Sequence, residues 1–112
     1  MSHPAPDDAD PLPELRAEWL AWMRDRLPEV ARGRPDWPIR LDHCFGRVVL
    51  DAVYDRPWRE ALPSPAWRHM DAEALRRAIA LARDIAEGRA DLTVLNARSL
   101  HMRGKKRLSA GA

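Results

Sequence analysis

The segment Arg40-Leu-Asp-His-Cys-Phe-Gly-Arg-Val-Val-Leu-Asp-Ala-Val-Tyr54 carries apolar side chains around most of a helical circumference. A helix that is apolar on nearly every side normally lies at the centre of its domain. We therefore predict that this segment is the most buried helix of the protein. The side chains expected in the core are those of Leu41, Phe45, Val48, Val49 and Ala52.

A single narrow polar stripe runs along the same predicted helix. Arg40, His43, Arg47 and Asp51 follow one another at intervals of three or four residues, so they share one side of it. Leaving a buried polar group without a partner costs on the order of 1–3 kcal/mol, so each of these side chains needs one. We expect Arg47 and Asp51, one helical turn apart, to pair with each other.

Gly46 lies in the interior of this helix, where glycine is roughly 1 kcal/mol less favourable than alanine. The expected reason for a glycine here is the close approach of a neighbouring helix. A second helix packed against Gly46 is therefore part of the predicted fold.

The spacing of apolar residues predicts further helices on both sides of this segment. A first helix begins near Pro11 or Pro13, and Pro28 either kinks it or ends it. Asp71 is a suitable N-cap for a third helix, and Gly88 is a suitable C-terminal cap.

A fourth helix is predicted over residues 90–101, with Gly104 ending it. Its inward-facing side chains are expected to be Leu92, Leu95 and Leu100, with Val94 as a further candidate. Residues 55–62 are a candidate short helix with Pro57 in its first turn, within an irregular linker over residues 55–70 that contains several prolines and two tryptophans. No segment of useful length alternates with period two, so no sheet is expected. The predicted fold class is all-α, a small bundle of about four helices.

The length of 112 residues corresponds to one domain. We predict a disordered acidic leader over residues 1–10, the helical domain over residues 11–103 and a flexible basic tail over residues 104–112. A single cysteine excludes an intrachain disulfide, and no apolar run approaches the ~18 residues of a membrane span. We expect a cytoplasmic protein with no membrane association.

The leading functional hypothesis is a non-catalytic binding or adaptor protein that takes an unidentified protein or an anionic ligand. Polar residues on the predicted second and fourth helices are most readily satisfied if they face each other across a groove. Two tryptophans of the linker are next to arginines and could line the same groove. The predicted ligand-binding residues are His43, Arg47, Trp58, Trp67, Asn96, Ser99 and Arg103.

A second hypothesis is nucleic-acid binding through the basic C-terminal end. Residues 97–112 contain five basic residues and no acidic one, and such a cluster attracts phosphates. The acidic leader and the net charge of only +2 argue against this hypothesis. The residues concerned are Arg98, Arg103, Lys105, Lys106 and Arg107.

A third hypothesis is a small acyl-transfer or hydrolytic enzyme in which His43 acts as general base and Arg47 or Arg103 stabilises an anion. No Walker loop, dinucleotide-binding glycine motif or GxSxG sequence accompanies these residues. His43 and Cys44 are helical neighbours that point about 100° apart, which argues against a cysteine–histidine pair. No metal-ligand spacing or cofactor motif occurs, so neither a metal nor a cofactor is predicted.

A resemblance to a known group of proteins is carried by residues 41–51, Trp58, residues 65–69 and residues 95–100. Together these segments resemble a group of small uncharacterised bacterial proteins, sometimes labelled as related to the N-acetyltransferase superfamily. The resemblance spans about residues 40–105. The acetyltransferase fold contains a mixed sheet and a glycine-rich turn for pyrophosphate, and this sequence predicts neither. The resemblance therefore implies no activity and no site residue for this chain.

Overall fold

The computed structural model describes the backbone of residues 10–111 and the side chains of residues 10–104. No strand occurs in this part of the chain, which confirms the predicted all-α class. Residues 1–9 of the predicted leader lie outside the described part of the chain. The elements are α1 (Leu12–Ala21), a π turn (Trp22–Arg26), α2 (Leu27–Arg32), α3 (Asp42–Tyr54), a 3-10 turn (Trp58–Glu60), α4 (Ala66–His69), α5 (Ala72–Ala86) and α6 (Leu92–Gly111).

Pro28 neither ends the first helix nor breaks its continuity, because a wide turn precedes it. Proline has no N–H to donate to the residue four positions earlier, and its ring crowds that carbonyl. The backbone widens into the π turn just before Pro28, where the N–H of Leu27 donates to the carbonyl of Trp22, five residues earlier. Helical structure then continues through α2 to Arg32.

The segment that we predicted to be central is α3, which packs against the π turn, α2, α5, α6 and the 3-10 turn. Phe45, Val48 and Val49 are completely buried, as the spacing predicted. Trp37, from the loop before α3, packs its ring edge-on against Phe45, with 5.8 Å between the ring centroids. The loop before α3 therefore anchors this helix through Trp37.

Two of the predicted core positions differ in the structure. Leu41 is 57% exposed, so its assignment to the core was wrong. It is the N-cap of α3 and has extended backbone angles, so the helical periodicity does not extend to it. Ala52 is only partly buried.

Helix α5 begins and ends where the sequence predicted. Asp71 accepts a hydrogen bond from the backbone N–H of Ala74 at 2.8 Å, which is the predicted N-cap. Gly88 has a φ of +82°, a left-handed conformation that favours glycine after a helix. Met70, just before the N-cap, is buried and fixes the entry of the chain into α5.

The last helix differs from the prediction in its end and in its buried side. The backbone of α6 continues past Gly104 to Gly111, so the predicted end at Gly104 was wrong. Glycine in a helix costs only about 1 kcal/mol and stops the helix only where the chain turns left-handed. Leu100 is 45% exposed and Val94 is 58% exposed, so their placement in the core was wrong, whereas the polar residues Asn96 and Ser99 are buried.

The candidate short helix over residues 55–62 is a 3-10 turn, and the linker also contains a second short helix, α4, that was not predicted. Asp55, with a φ of +57°, closes α3, and the chain then forms the 3-10 turn and the single-turn helix α4. The first of these short elements carries Trp58 and the second carries Trp67. Both tryptophans are half-buried, the 3-10 turn packs against α3, and α4 packs against α1.

Candidate functional site

A buried carboxylate joins three elements of the fold. The side chain of Asp51 on α3 is 0% exposed and accepts four hydrogen bonds. Arg103 of α6 donates two of them, from Nε to Oδ2 at 2.8 Å and from Nη2 to Oδ1 at 2.9 Å. Ser99 Oγ donates to Oδ2 at 2.6 Å, and the backbone N–H of Trp58 donates to Oδ1 at 2.8 Å. Asp51 therefore holds α6 and the 3-10 turn against α3 with strong, charge-assisted hydrogen bonds.

Arg47 does not pair with Asp51 as the one-turn spacing predicted. Its guanidinium donates from Nη1 to Ser99 Oγ and from Nη2 to Asn96 Oδ1, both at 2.8 Å. The predicted pair is absent because Arg103, Ser99 and the Trp58 amide already surround the carboxylate. Among the described residues, Arg47 bonds only to neutral oxygen atoms.

Two clefts meet at Arg47. The first has a volume of about 220 Å³ and is basic, with the lining residues His43, Arg47, Trp58, Arg59 and Arg103. The second has a volume of about 240 Å³ and lies between α1, the π turn, α3 and α4. It shares His43, Arg47 and Trp58 with the first cleft, and its further walls are mainly apolar, including Trp19, Met23, Leu50, Pro65 and Trp67.

Gly46 lies in the wall of the larger cleft and faces open space. A Cβ atom added to Gly46 would meet no other atom within 4 Å. The prediction that another helix packs closely against this glycine was therefore wrong. The backbone of α3 is instead accessible from the cleft at this position.

His43 borders both clefts but lies outside the hydrogen-bonded network. Its side chain is 75% exposed, and its Nδ1 lies 3.6 Å from Oδ1 of Asp42. The first turn of α3 extends beyond the core, so a residue on the polar stripe reaches solvent there. His43 is accordingly open to a bound molecule.

The two linker tryptophans form walls of the site and are covered by arginines on one side. The guanidinium of Arg59 lies 5.3 Å from the ring centroid of Trp58, and that of Arg68 lies 5.3 Å from that of Trp67. Trp58 lines both clefts, whereas Trp67 lines only the apolar one.

The predicted site residues fall into two groups, one buried beneath the clefts and one bordering them. Asn96 and Ser99 are buried beneath the clefts and position Arg47. The other five border one or both clefts: His43, Arg47, Trp58, Trp67 and Arg103. Sequence reasoning missed the central role of Asp51. The available signal was a carboxylate between apolar neighbours on a buried helix, which requires a cation from another element.

The basic C-terminal end is only partly described. Arg98 pairs with Asp55 at 3.0 Å, and Arg103 pairs with Asp51. These two arginines are therefore already bound to carboxylates. The side chains of Lys105, Lys106 and Arg107 lie outside the described residues, so nucleic-acid binding through them stays a prediction.

Within the described residues, no three histidine, cysteine, aspartate or glutamate side chains converge to hold a metal ion. None of the described helices combines the length and apolar character needed to cross a membrane. No protein-family model matches the chain, and neither a curated protein nor a solved structure matches it. These comparisons neither support nor contradict the resemblance to N-acetyltransferase-related proteins, so function has to be inferred from the geometry.

Proposed function

We propose that this chain is a small binding protein that holds an anionic group in the basic cleft between α3, the 3-10 turn and α6. The observation that carries the proposal is the bonding of Arg47. Its guanidinium is partly buried at the edge of this cleft, and its two hydrogen bonds go to the neutral oxygens of Asn96 and Ser99.

Arg47 is a partly desolvated cation that touches no carboxylate directly and reaches Asp51 only through Ser99 Oγ, so a directly bound anion would stabilise it. Burying a charge is costly unless it is paired, and neutral acceptors compensate for only part of that cost. Hydrogen bonds from arginine to a carboxylate or phosphate are about twice as strong as those between neutral groups. Arg47 is therefore expected to gain more from an anion than from the protein atoms around it alone.

The charges around the cleft also favour an anion. Three guanidinium groups line it, those of Arg47, Arg59 and Arg103, and none of its lining residues is acidic. Asp51, behind the wall, pairs directly with Arg103 at two points and reaches Arg47 only through the hydroxyl of Ser99. The cleft thus retains a positive surplus that a carboxylate or phosphate group would neutralise.

The cationic groups are also held in place before any ligand arrives. Arg47 is fixed by Asn96 and Ser99, and Arg103 is fixed by Asp51. A ligand therefore does not need to order these long side chains, which reduces the entropic cost of binding.

The test is an NMR titration of amide signals with inorganic phosphate and with acetate at constant ionic strength. Saturable shifts are expected in the first two turns of α3, in the 3-10 turn and near Ser99. Arg47→Gln should weaken the binding of phosphate by about tenfold or more, because a charge-assisted contact is lost.

The matched control is Arg76→Gln, which removes an exposed arginine of α5 that lines neither cleft. This variant should bind phosphate like the unmodified chain. Equal weakening in both variants would mean that only net charge matters, and an absence of saturable shifts would exclude the proposed site.

A second candidate function is catalysis by His43, supported by the exposure of its ring beside Arg47 at both clefts. In this hypothesis His43 activates a water molecule as general base, and Arg47 stabilises the anion that forms on the carbonyl group. Hydrolysis of para-nitrophenyl acetate should then slow in His43→Gln. Equal rates in the variant and the unmodified chain would remove this candidate.

A further inference from the structure

We infer that the ligand is a small organic anion with a compact apolar body, and that this body lies in the larger cleft over Gly46. The inference rests on the proposed function, because the anionic head is placed at Arg47. It adds the chemical class of the ligand and the direction in which the ligand extends from the basic cleft.

The first argument is the position of Gly46. Glycine is unfavourable inside a helix, and a Cβ atom here would meet no atom outside its own part of α3 within 4 Å. Neither backbone conformation nor protein packing therefore explains its presence, since Gly46 is in regular helix and has no close neighbour. Its effect is to leave the backbone of α3 open to the cleft, one residue before Arg47.

The second argument is the composition of the larger cleft. Most of the residues beyond its shared edge are apolar, with Trp19, Leu50 and Trp67 on three different sides of it. Flat aromatic walls beside a fixed cation suit a molecule that has an apolar body and a charged end.

The third argument is size. The two clefts have volumes of about 240 and 220 Å³ and share His43, Arg47 and Trp58 as lining residues. Each alone is smaller than the roughly 300 Å³ at which small-molecule sites usually begin. A ligand with its head at Arg47 and its body over Gly46 would use both volumes.

The experiment compares matched probes that share a head and differ in the body. Inorganic phosphate is compared with phenyl phosphate, and acetate with benzoate, by the same NMR titration. The aromatic member of each pair should bind about 10- to 100-fold more tightly, because a buried ring leaves water. Comparing phenyl phosphate with benzoate also distinguishes a phosphate head from a carboxylate head, since the probe with the preferred head should bind more tightly.

Gly46→Leu fills the larger cleft and should remove the advantage of the aromatic probes while leaving the binding of inorganic phosphate unchanged. Gly46→Ala should reduce that advantage in part and should raise the urea midpoint, which excludes unfolding as the cause. The matched control is Ala80→Leu, which adds the same bulk to an exposed position on α5 and should change nothing.

The outcomes separate the two proposals. If phosphate binds at Arg47 but the aromatic probes show no advantage, or if Gly46→Leu leaves that advantage intact, this inference is wrong and the proposed function stands. If neither the simple anions nor the aromatic probes bind, both are wrong. If the aromatic probes bind equally to Arg47→Gln, the apolar cleft is a site but the anionic head is not placed at Arg47.

Discussion

Helix α3 has two buried sides that are stabilised in different ways. On one side Phe45, Val48 and Val49 pack among the side chains of the hydrophobic core. On the other side Asp51 and Arg47 meet Asn96, Ser99 and Arg103 of α6 through hydrogen bonds. The apolar side depends on the area removed from water, whereas the polar side depends on the geometry of a few atoms.

This difference determines how each side responds to a change. Apolar contacts are numerous and non-directional, so the loss of one side chain is shared among its neighbours. The polar side converges on a single carboxylate that accepts four hydrogen bonds, and removing it leaves several donors without a partner at once. The predictions below test this contrast.

Phe45→Ala tests the apolar side and should have the largest effect. Phe45 is completely buried and contacts Trp37, so its truncation leaves a cavity as well as losing burial. We expect the free energy of unfolding to fall by about 3–5 kcal/mol, measured by urea denaturation with circular dichroism. Leu41→Ala, at an exposed position four residues earlier, should change it by less than about 0.5 kcal/mol. A comparable loss in both variants would contradict the assigned core.

Asp51→Ala tests the polar side. Breaking a buried ion pair by removing one partner lowers the free energy of unfolding by about 3–5 kcal/mol. Because Arg103 is partly exposed, we expect the loss for Asp51→Ala to lie near the lower of these values. The control is Arg98→Ala on α6, the helix that carries Arg103. It breaks the exposed ion pair with Asp55 and should cost less than about 1 kcal/mol. If Asp51→Ala were as mild as its control, Asp51 would not be the hub of this side.

The two sides also differ in how far the sequence could predict them. Apolar periodicity identified Phe45, Val48 and Val49, because within a helix burial follows the direction of the side chain. It failed at Leu41, which precedes the first turn of the helix. The partner of Asp51 depends instead on the rotation of α6, which the sequence does not fix. The sequence therefore predicts Arg47, the nearest cation, as the partner of Asp51 and does not indicate the distant Arg103.

The candidate site was predictable in its residues but not in its shape. Polar residues of the second and fourth predicted helices do meet, because Arg47 bonds to Asn96 and Ser99, whereas their role in binding a ligand stays a prediction. The clefts depend on how the 3-10 turn packs against α3 and how α4 packs against α1, and short elements of this kind have too few residues for a recognisable period. The open space at Gly46 also depends on where these short elements lie, so the sequence alone predicts a packing contact there instead.

Gly46→Ala tests whether the opening at the site has a cost in stability. Because the new methyl group meets no atom and alanine favours the helix, unfolding should become less favourable by about 0.5–1 kcal/mol. Gly88→Ala is the matched control with the opposite sign, since the φ of +82° there is strained for alanine. Urea denaturation of both variants measures the difference. Destabilisation by Gly46→Ala would show that this glycine has a structural role after all.

The smallest expected effect concerns Tyr54, at the end of α3, and appears only at high pH. Burial raises the pKa of its phenol above the ordinary 10.0, the charge of Asp71 raises it further, and Arg77 opposes the shift. The unfolded chain therefore releases this proton at a lower pH than the folded chain does. The stability of the fold is unaffected by this group below about pH 10, and it falls as the pH rises from there through the higher pKa of the folded state.

Tyr54 is the only tyrosine, so the ultraviolet absorbance of tyrosinate reports on it alone. The absorbance midpoint should lie at a higher pH in the folded protein than in urea. Tyr54→Phe should lose the alkaline absorbance change, and its stability should fall less steeply with pH above about pH 10. Because Asp71 is the N-cap of α5, Asp71→Asn keeps the cap but removes the charge, and should lower the midpoint of the folded protein. An identical midpoint in the folded and unfolded chain would mean that Tyr54 is solvated and does not link the end of α3 to α5.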